Sequence, residues 1–382
     1  MSPRATWATS QQIDPGPDSK PAGTDLNGSH DQKEFRRQTV RYIMRATIDG
    51  GAVRLKLSNQ FGSGPVTIGK ATLAIRTVSK AVDPATVRYL SFGGSRQITI
   101  YPGDEAWSDP VPLHVSRFSD VAVSLYVVSA KGVYSGHRAA KNAAWFSARD
   151  TGDLTADFSG ASLGWPALSW LWAQELDVMT GPRRVIVAIG DSITDGHLIA
   201  PESNSEWPSL LAQRFGGEVA VINAGINGNT LLRPGSGEWG QAIVDRVSHD
   251  ALDVPGVTHV VVLAGTNDIR RGSSAAQLAA GFTELVAKAH ARGVKVIAGT
   301  ITPRDDQPLG WVPSRHNPIR HQINDWIRTA GIFDGVVDFD VAARDQTNPD
   351  FLRLEYDSGD RLHPNAAGHR GLADAVNLGL FR

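Results

Sequence analysis

From Gly181-Pro182 to its C-terminus the chain repeats one pattern about five times: a short apolar run rich in Val or Ile, a loop, then an amphipathic stretch. The runs Arg184 to Ile189, Val219 to Ile222, His259 to Leu263, Val294 to Ala298 and Gly335 to Phe339 are short enough to be strands buried on both faces, which is the environment of a parallel sheet covered by helices. Between the third and fourth, Leu278, Phe282, Leu285, Val286 and Ala289 form one helical stripe, and Gly293 stops that helix just after His290-Ala291-Arg292. Such alternation predicts a doubly wound, flavodoxin-like α/β/α domain over residues 181–382, whose functional groups gather at the carboxyl ends of the strands.

The upstream half reads differently. Thr39 to Ile48, Ala52 to Leu57, Val66 to Ile75, Gln97 to Ile100 and Val121 to Val128 look like short strands separated by turn signals such as Asp49-Gly50 and Phe92-Gly93-Gly94. Within Val53-Arg54-Leu55-Lys56-Leu57 apolar and polar residues alternate, as on a half-buried strand. We expect an all-β, jelly-roll-like sandwich over residues 36–180, and 382 residues are enough for two separate cores. Residues 1–35, rich in Ser, Pro, Gly, Asp and Gln, read as an irregular segment. They contain no apolar run of the kind a signal peptide or membrane span requires, so two expectations stand, a cytoplasmic protein or, the one leaned to, a secreted or periplasmic protein with its leader removed, and no membrane partner is expected. No internal repeat of fixed period is visible.

Composition narrows the chemistry. A net charge of −1 with 20% charged residues offers no field for nucleic acid or an anionic membrane, and the absence of Cys excludes disulfides, thiolate metal sites and cysteine nucleophiles. No His-Glu-x-x-His, phosphate-cradling Gly-x-x-x-x-Gly-Lys or dinucleotide fingerprint occurs, so neither a metal nor a cofactor is expected.

Four strand-end or loop blocks carry candidate chemistry. The first strand runs into Gly190-Asp191-Ser192, where a turn after Ser192 would aim its backbone N–H at a developing oxyanion. The second ends in Asn223-Ala224-Gly225-Ile226-Asn227-Gly228-Asn229, and Gly228 can bring a second N–H close to a bound group. The third ends in Gly265-Thr266-Asn267-Asp268, with the Asn267 amide as a third donor. Near the C-terminus, the three-residue step from Asp360 to His363 lets a carboxylate hold one imidazole nitrogen while the other faces the serine, and Pro364 marks the start of a helix running to about Leu380. Taken singly, the first three blocks read equally well as βα turns or helix caps, and a lone His as a surface residue.

Together the blocks resemble the SGNH, or GDSL-like, hydrolase superfamily, named for a Ser, a Gly, an Asn and a His in this chain order. The resemblance covers roughly the C-terminal half. It implies Ser192 as nucleophile, His363 as base, Asp360 as its orienter, and an oxyanion hole from Ser192 N–H, Gly228 N–H and Asn267. Trp7-Ala8-Thr9-Ser10, Leu57-Ser58-Asn59-Gln60-Phe61-Gly62 and Ser108-Asp109-Pro110 are similar to the bacterial branch that carries a β-sandwich ahead of the hydrolase. The implied activity is hydrolysis of a short-chain acyl ester such as an acetate, with a small-molecule or carbohydrate substrate. Acyl transfer from the same residues, or sugar binding by the β-domain beside an inactive scaffold, are the alternatives.

Several other features compete. Gly160-Ala161-Ser162-Leu163-Gly164 matches the nucleophile elbow of another hydrolase fold, but Thr155-Ala156-Asp157-Phe158-Ser159 is no convincing strand and Pro166 follows soon after. His197 is a rival base, close to Ser192 in sequence. Trp165, Trp170 and Trp172 could form a sugar platform, although a strand carrying the last two would put both on one face and suits packing as well. Trp207, Trp239 and Trp311 fall in or beside loops at the strand ends and are candidate walls of the substrate site. The loop Thr302 to Asn317, with Pro303, Pro308 and Pro313, is long enough to be a lid.

Overall fold

A computed structural model describes residues 1–15, 34–235, 239–304 and 313–382. The chain divides into two units, Met1–Arg183 and Arg184–Arg382, three residues beyond the division expected after residue 180.

The first unit is antiparallel throughout. One sheet orders its strands Ser2–Ala8, Ala173–Thr180 and Gly50–Ser58, with Glu105–Trp107 and Val111–Val115 both paired to the last. A second runs Trp165–Ala167, Ala144–Phe146, Glu34–Arg45, Asp120–Lys131 and Val66–Ile75, whose far side takes Arg88–Tyr89 and Ile98–Ile100. The third is Ser169–Leu171, Tyr134–Arg138 and Gln12–Asp14. Residues 1–35 are therefore not wholly irregular: Ser2–Ala8 pairs with Ala173–Thr180, and Ala5, Thr6 and Trp7 are buried on both faces of that strand. Within this stretch Ser2–Ala8 and Gln12–Asp14 are strands whose partners, Ala173–Thr180 and Tyr134–Arg138, lie far away in sequence.

The core of this unit is mostly Val, Leu, Ile and Ala, with an aromatic cluster inside it. Phe35, Tyr134 and Trp172 meet edge to face at 5.1–5.5 Å between ring centroids, a geometry worth roughly 0.5–1.5 kcal/mol per pair beyond the area buried. Trp170 and Trp172 do not share a face. The strand ends at Leu171, Trp172 adopts φ 61°, and Trp170 packs instead on Trp7 and His137. Both rings are buried, so they form no exposed platform. Phe92-Gly93-Gly94-Ser95 is a two-residue turn with φ 57° and 84° at its glycines, a conformation that side chains resist.

The second unit is a parallel five-stranded sheet in the order β2-β1-β3-β4-β5, comprising β1 (Arg184–Gly190), β2 (Val219–Gly225), β3 (Val257–Leu263), β4 (Lys295–Gly299) and β5 (Gly335–Val337). Val185 to Ile189 are fully buried, as a strand covered on both faces requires. The helices are α1 (Ser192–Asp195), α2 (Trp207–Arg214), α3 (Ile243–Val247), α4 (Thr266–Arg270), α5 (Ala275–His290), α6 (Pro313–Thr329), α7 (Phe339–Ala343) and α8 (Ala366–Ala375). The stripe on α5 is buried as its spacing predicts, and Ser274 with Gln277 closes a capping box at its start. Several boundaries move, among them the end of α8, at Ala375 and not about Leu380, and two have a visible cause. Phe339 opens α7, because the Asp338 side chain accepts from Val341 N–H and caps a helix there. Pro364 lies before α8 rather than opening it: Asn365 caps the helix by accepting from the N–H groups of Ala367 and Gly368.

Candidate active site

Strand β1 delivers Ser192 to the carboxyl edge of the sheet. Asp191 caps α1 by accepting from Ile193 N–H at 3.0 Å, and Gly196, at φ 91°, ends the helix after one turn. Ser192 is buried, and its Oγ lies 2.8 Å from His363 Nε2. The other ring nitrogen, Nδ1, donates to Asp360 Oδ2 at 2.5 Å. Asp360 is held by its own turn, since its Oδ1 accepts from Leu362 N–H at 3.0 Å and His363 N–H at 2.8 Å. Burial raises the Asp360 carboxyl, but the His363 ring and these two N–H groups outweigh it and hold the group well below the usual carboxylate range. It is an ionised acceptor at neutral pH and so fixes the proton of His363 on Nδ1, leaving Nε2 to accept from the serine.

The loops after β2 and β3 close over the same edge. Gly228 has φ 73°, and a Cβ there would stand 2.6 Å from Cε3 of Trp239, so that indole packs directly on the Gly228 backbone. Asn267 donates one amide hydrogen to Asn229 O at 2.9 Å. Its neighbour Asp268 accepts from Leu231 and Leu232 N–H, both at 2.9 Å, so the start of α4 pins the β2 loop at three points instead of capping its own helix. Burial pushes the Asp268 carboxyl up against those two hydrogen bonds. Asp191 is pushed up to about 7, chiefly by burial and further by the charge of Asp268, while Ile193 N–H and Arg304 act the other way.

The expected aromatic walls separate. Trp239 is 42% exposed beside Gly228, whereas Trp207 is fully buried, with its ring 5.4 Å from Phe339 and its backbone N–H donating to His369 Nδ1. Trp207 opens α2 with its ring facing the core. Trp311 lies outside the described residues, as do residues 305–312 of the expected loop 302–317, and the last five residues of that stretch are not loop but the start of α6. Ser162 sits in an exposed turn with its N–H on Asp157 Oδ2, with neither the strand nor the helix an elbow requires. His197 does not bond Ser192 Oγ; its ring stands edge-on to that of His363 at 4.5 Å.

Sequence reading missed Arg246 and Asn229. Arg246 is buried on α3 and reaches Gly190 O, Ala224 O and Asn229 Oδ1, a contact set that no local motif announces. Among the described residues no group of three or more His, Asp and Glu side chains could hold a metal ion, and no helix is long and apolar enough to cross a membrane.

Several solved structures are similar to this chain. A lipase/acylhydrolase from Enterococcus faecalis is 24% identical over 50% of this chain and 92% of its own, with a TM-score of 0.40. An aryl esterase from M. smegmatis is 16% identical over 50% and 95%, with a TM-score of 0.42. A carbohydrate acetylesterase from Sinorhizobium meliloti is 16% identical over 50% and 96%, with a TM-score of 0.41. Among curated proteins none matches the chain. The family model described as the GDSL-like Lipase/Acylhydrolase family matches residues 188–370, the span that contains all four blocks. The matched span, residues 188–370 within the second unit, is a GDSL-like lipase/acylhydrolase domain.

Proposed function

We propose that this domain hydrolyses carboxylic esters through Ser192, His363 and Asp360, forming an acyl-enzyme on the serine. The observation that carries the reading is the unbroken hydrogen-bond chain from Ser192 Oγ through both nitrogens of His363 to Asp360. His363 Nε2 takes the hydroxyl proton as Ser192 Oγ bonds to the ester carbonyl carbon. The oxyanion is held by the N–H groups of Ser192 and Gly228 and by the second amide hydrogen of Asn267, the first being committed to Asn229 O. His363 then gives its proton to the departing alkoxide, and a water, deprotonated by the same nitrogen, releases the acid and restores the serine.

The proposed substrate is a short-chain acyl ester, with acetate the first candidate and a carbohydrate the first candidate for the alcohol. Trp239 supports both parts: its ring fills the space beside Gly228, and its exposed face could stack on a sugar.

The test is hydrolysis of p-nitrophenyl esters from acetyl to dodecanoyl, and of acetylated sugars, by wild type, Ser192→Ala and Ser162→Ala with folding checked. Loss of turnover in Ser192→Ala alone is expected, with the rate falling as the acyl chain lengthens. An active Ser192→Ala would sink the assignment. An inert wild type that binds sugars would replace it with the binding-protein reading, and ester products from added alcohol would replace water by acyl transfer.

A further inference from the structure

Arg246 has no part in the steps above, yet it is buried behind them with its guanidinium spread over at least four acceptors. Nη2 donates to Gly190 O at 3.0 Å, Nη1 to Ala224 O at 2.9 Å and to Asp250 Oδ2 at 3.0 Å, and Nε to Asn229 Oδ1 at 3.0 Å. Gly190 ends the strand that presents Ser192, Ala224 lies at the end of the neighbouring strand, and Asn229 follows Gly228. Asn229 passes the constraint on, because its backbone oxygen accepts from Asn267 Nδ2 and its own Nδ2 donates to the carbonyls of Trp239 at 2.6 Å and Gln241 at 2.9 Å.

We propose that Arg246 is a positioning residue for the oxyanion hole, fixing the segments that carry Ser192, Gly228 and Asn267 relative to one another through a single rigid fork. The inference rests on the ester-hydrolase reading above. A buried cation is a poor source of stability, since well-packed apolar residues commonly do as well, so its retention here points to geometry. The cation is countered by Asp250 and by the nearby charge of Asp195. The acceptors also explain the choice of side chain. Gly190 O, which also accepts from Ile226 N–H at 3.2 Å, and Ala224 O lie at strand ends, and a planar group with five N–H bonds can serve both together with the Asn229 side chain at once. Oxyanion donors act over a narrow range of distance, so loosening this fork should harm the transition state more than substrate binding.

The experiment compares wild type with Arg246→Lys, which keeps the charge and loses the fork, and Asn229→Ala, which leaves Arg246 three acceptors and cuts its link to the β2 loop. Steady-state hydrolysis of p-nitrophenyl acetate is measured per active site, titrated by the acyl-enzyme burst, with thermal melting and the affinity for phenylboronic acid as a transition-state mimic. The expected result is a kcat lower by roughly 10–10²-fold, below the loss of a whole donor, with KM within about twofold and boronate affinity weakened in step with kcat. A kcat within about twofold of wild type per titrated site in either folded variant overturns the proposal, even if the melting temperature falls, because the residue would then be structural only. Where Arg246→Lys does not fold, Asn229→Ala decides. Failure of the parent reading shows separately, as an inert wild type or an active Ser192→Ala. In that event the Asn267 side-chain amide resonances, which either folded variant must shift, still decide whether Arg246 holds this loop.

Discussion

Asp191 stands one residue before the proposed nucleophile with its carboxyl fully buried, and replacing it with Asn tests how the site is held against its own charge. Its proton is held up to about 7, against an ordinary value of 3.8, because burial disfavours the carboxylate and Asp268 adds to the penalty. Between about pH 4 and about pH 7 the folded chain therefore binds more protons at this position than the unfolded chain. Its contribution to stability is undiminished below about pH 4, falls as the pH rises through that window, and stays low above about 7. At about 1.4 kcal/mol per tenfold change in affinity the whole gap is worth at most ~4 kcal/mol, and relaxation around the ionised group brings the expected value to ~2–4 kcal/mol. Asp191→Asn keeps an oxygen for Ile193 N–H, and with it the cap of α1, and it never ionises. The variant should match wild type near pH 4 and exceed it by that amount above pH 7. Urea unfolding from about pH 4 to about pH 9, followed by pulsed hydrogen exchange in the peptides of β1 and β2 to isolate the C-terminal unit, measures the difference. A difference that is constant with pH, or that grows toward acid, would refute the reasoning.

Asn267→Ala should lower kcat on the order of 10²–10³-fold with the fold retained, as read by steady-state kinetics and circular dichroism, because it removes one proposed oxyanion donor together with the donor to Asn229 O. Asp360→Asn should reduce kcat by roughly 10³–10⁴-fold by releasing the tautomer of His363. The Asp360 carboxyl is held below its ordinary value in the folded chain, so it adds stability above about pH 4 that fades as the pH falls. The Asn variant should accordingly be less stable at pH 7, and urea midpoints should converge with wild type in acid. Trp207→Ala should cost about 3–5 kcal/mol in urea unfolding as a core deletion, whereas Trp239→Ala should change stability little and alter KM across the ester series.

The polar blocks were legible because the chemistry is local at each strand end. Gly190-Asp191-Ser192 follows an apolar run, and Asp360 and His363 sit on one turn whose geometry their spacing fixes. Long-range packing was not legible. Trp207 and Trp239 look alike in sequence, yet Trp207 faces the core from the first turn of α2 while Trp239 lies on the β2 loop, and only the tertiary fold decides that. Arg246 was hidden for the same reason, since its acceptors are main-chain oxygens and an amide supplied by segments far upstream. Ser2–Ala8 reads as irregular because its strand signal is weak without Ala173–Thr180 beside it, and the shared face expected of Trp170 and Trp172 fails because a left-handed φ at a bulky residue cannot be anticipated from alternation.

The hydrogen bond between Ser192 and His363 joins residues 171 apart, and His363 lies near the C-terminal end of the span 188–370 that matches the family model. At roughly 5–20 residues per second, a ribosome that has placed Ser192 needs about 10–35 s more to add His363. Throughout that interval the nascent chain carries its serine without the imidazole that would activate it. The proposed activity is thus withheld until synthesis of the domain is nearly complete, and a chain released early would carry β1 and Ser192 with no partner for the hydroxyl.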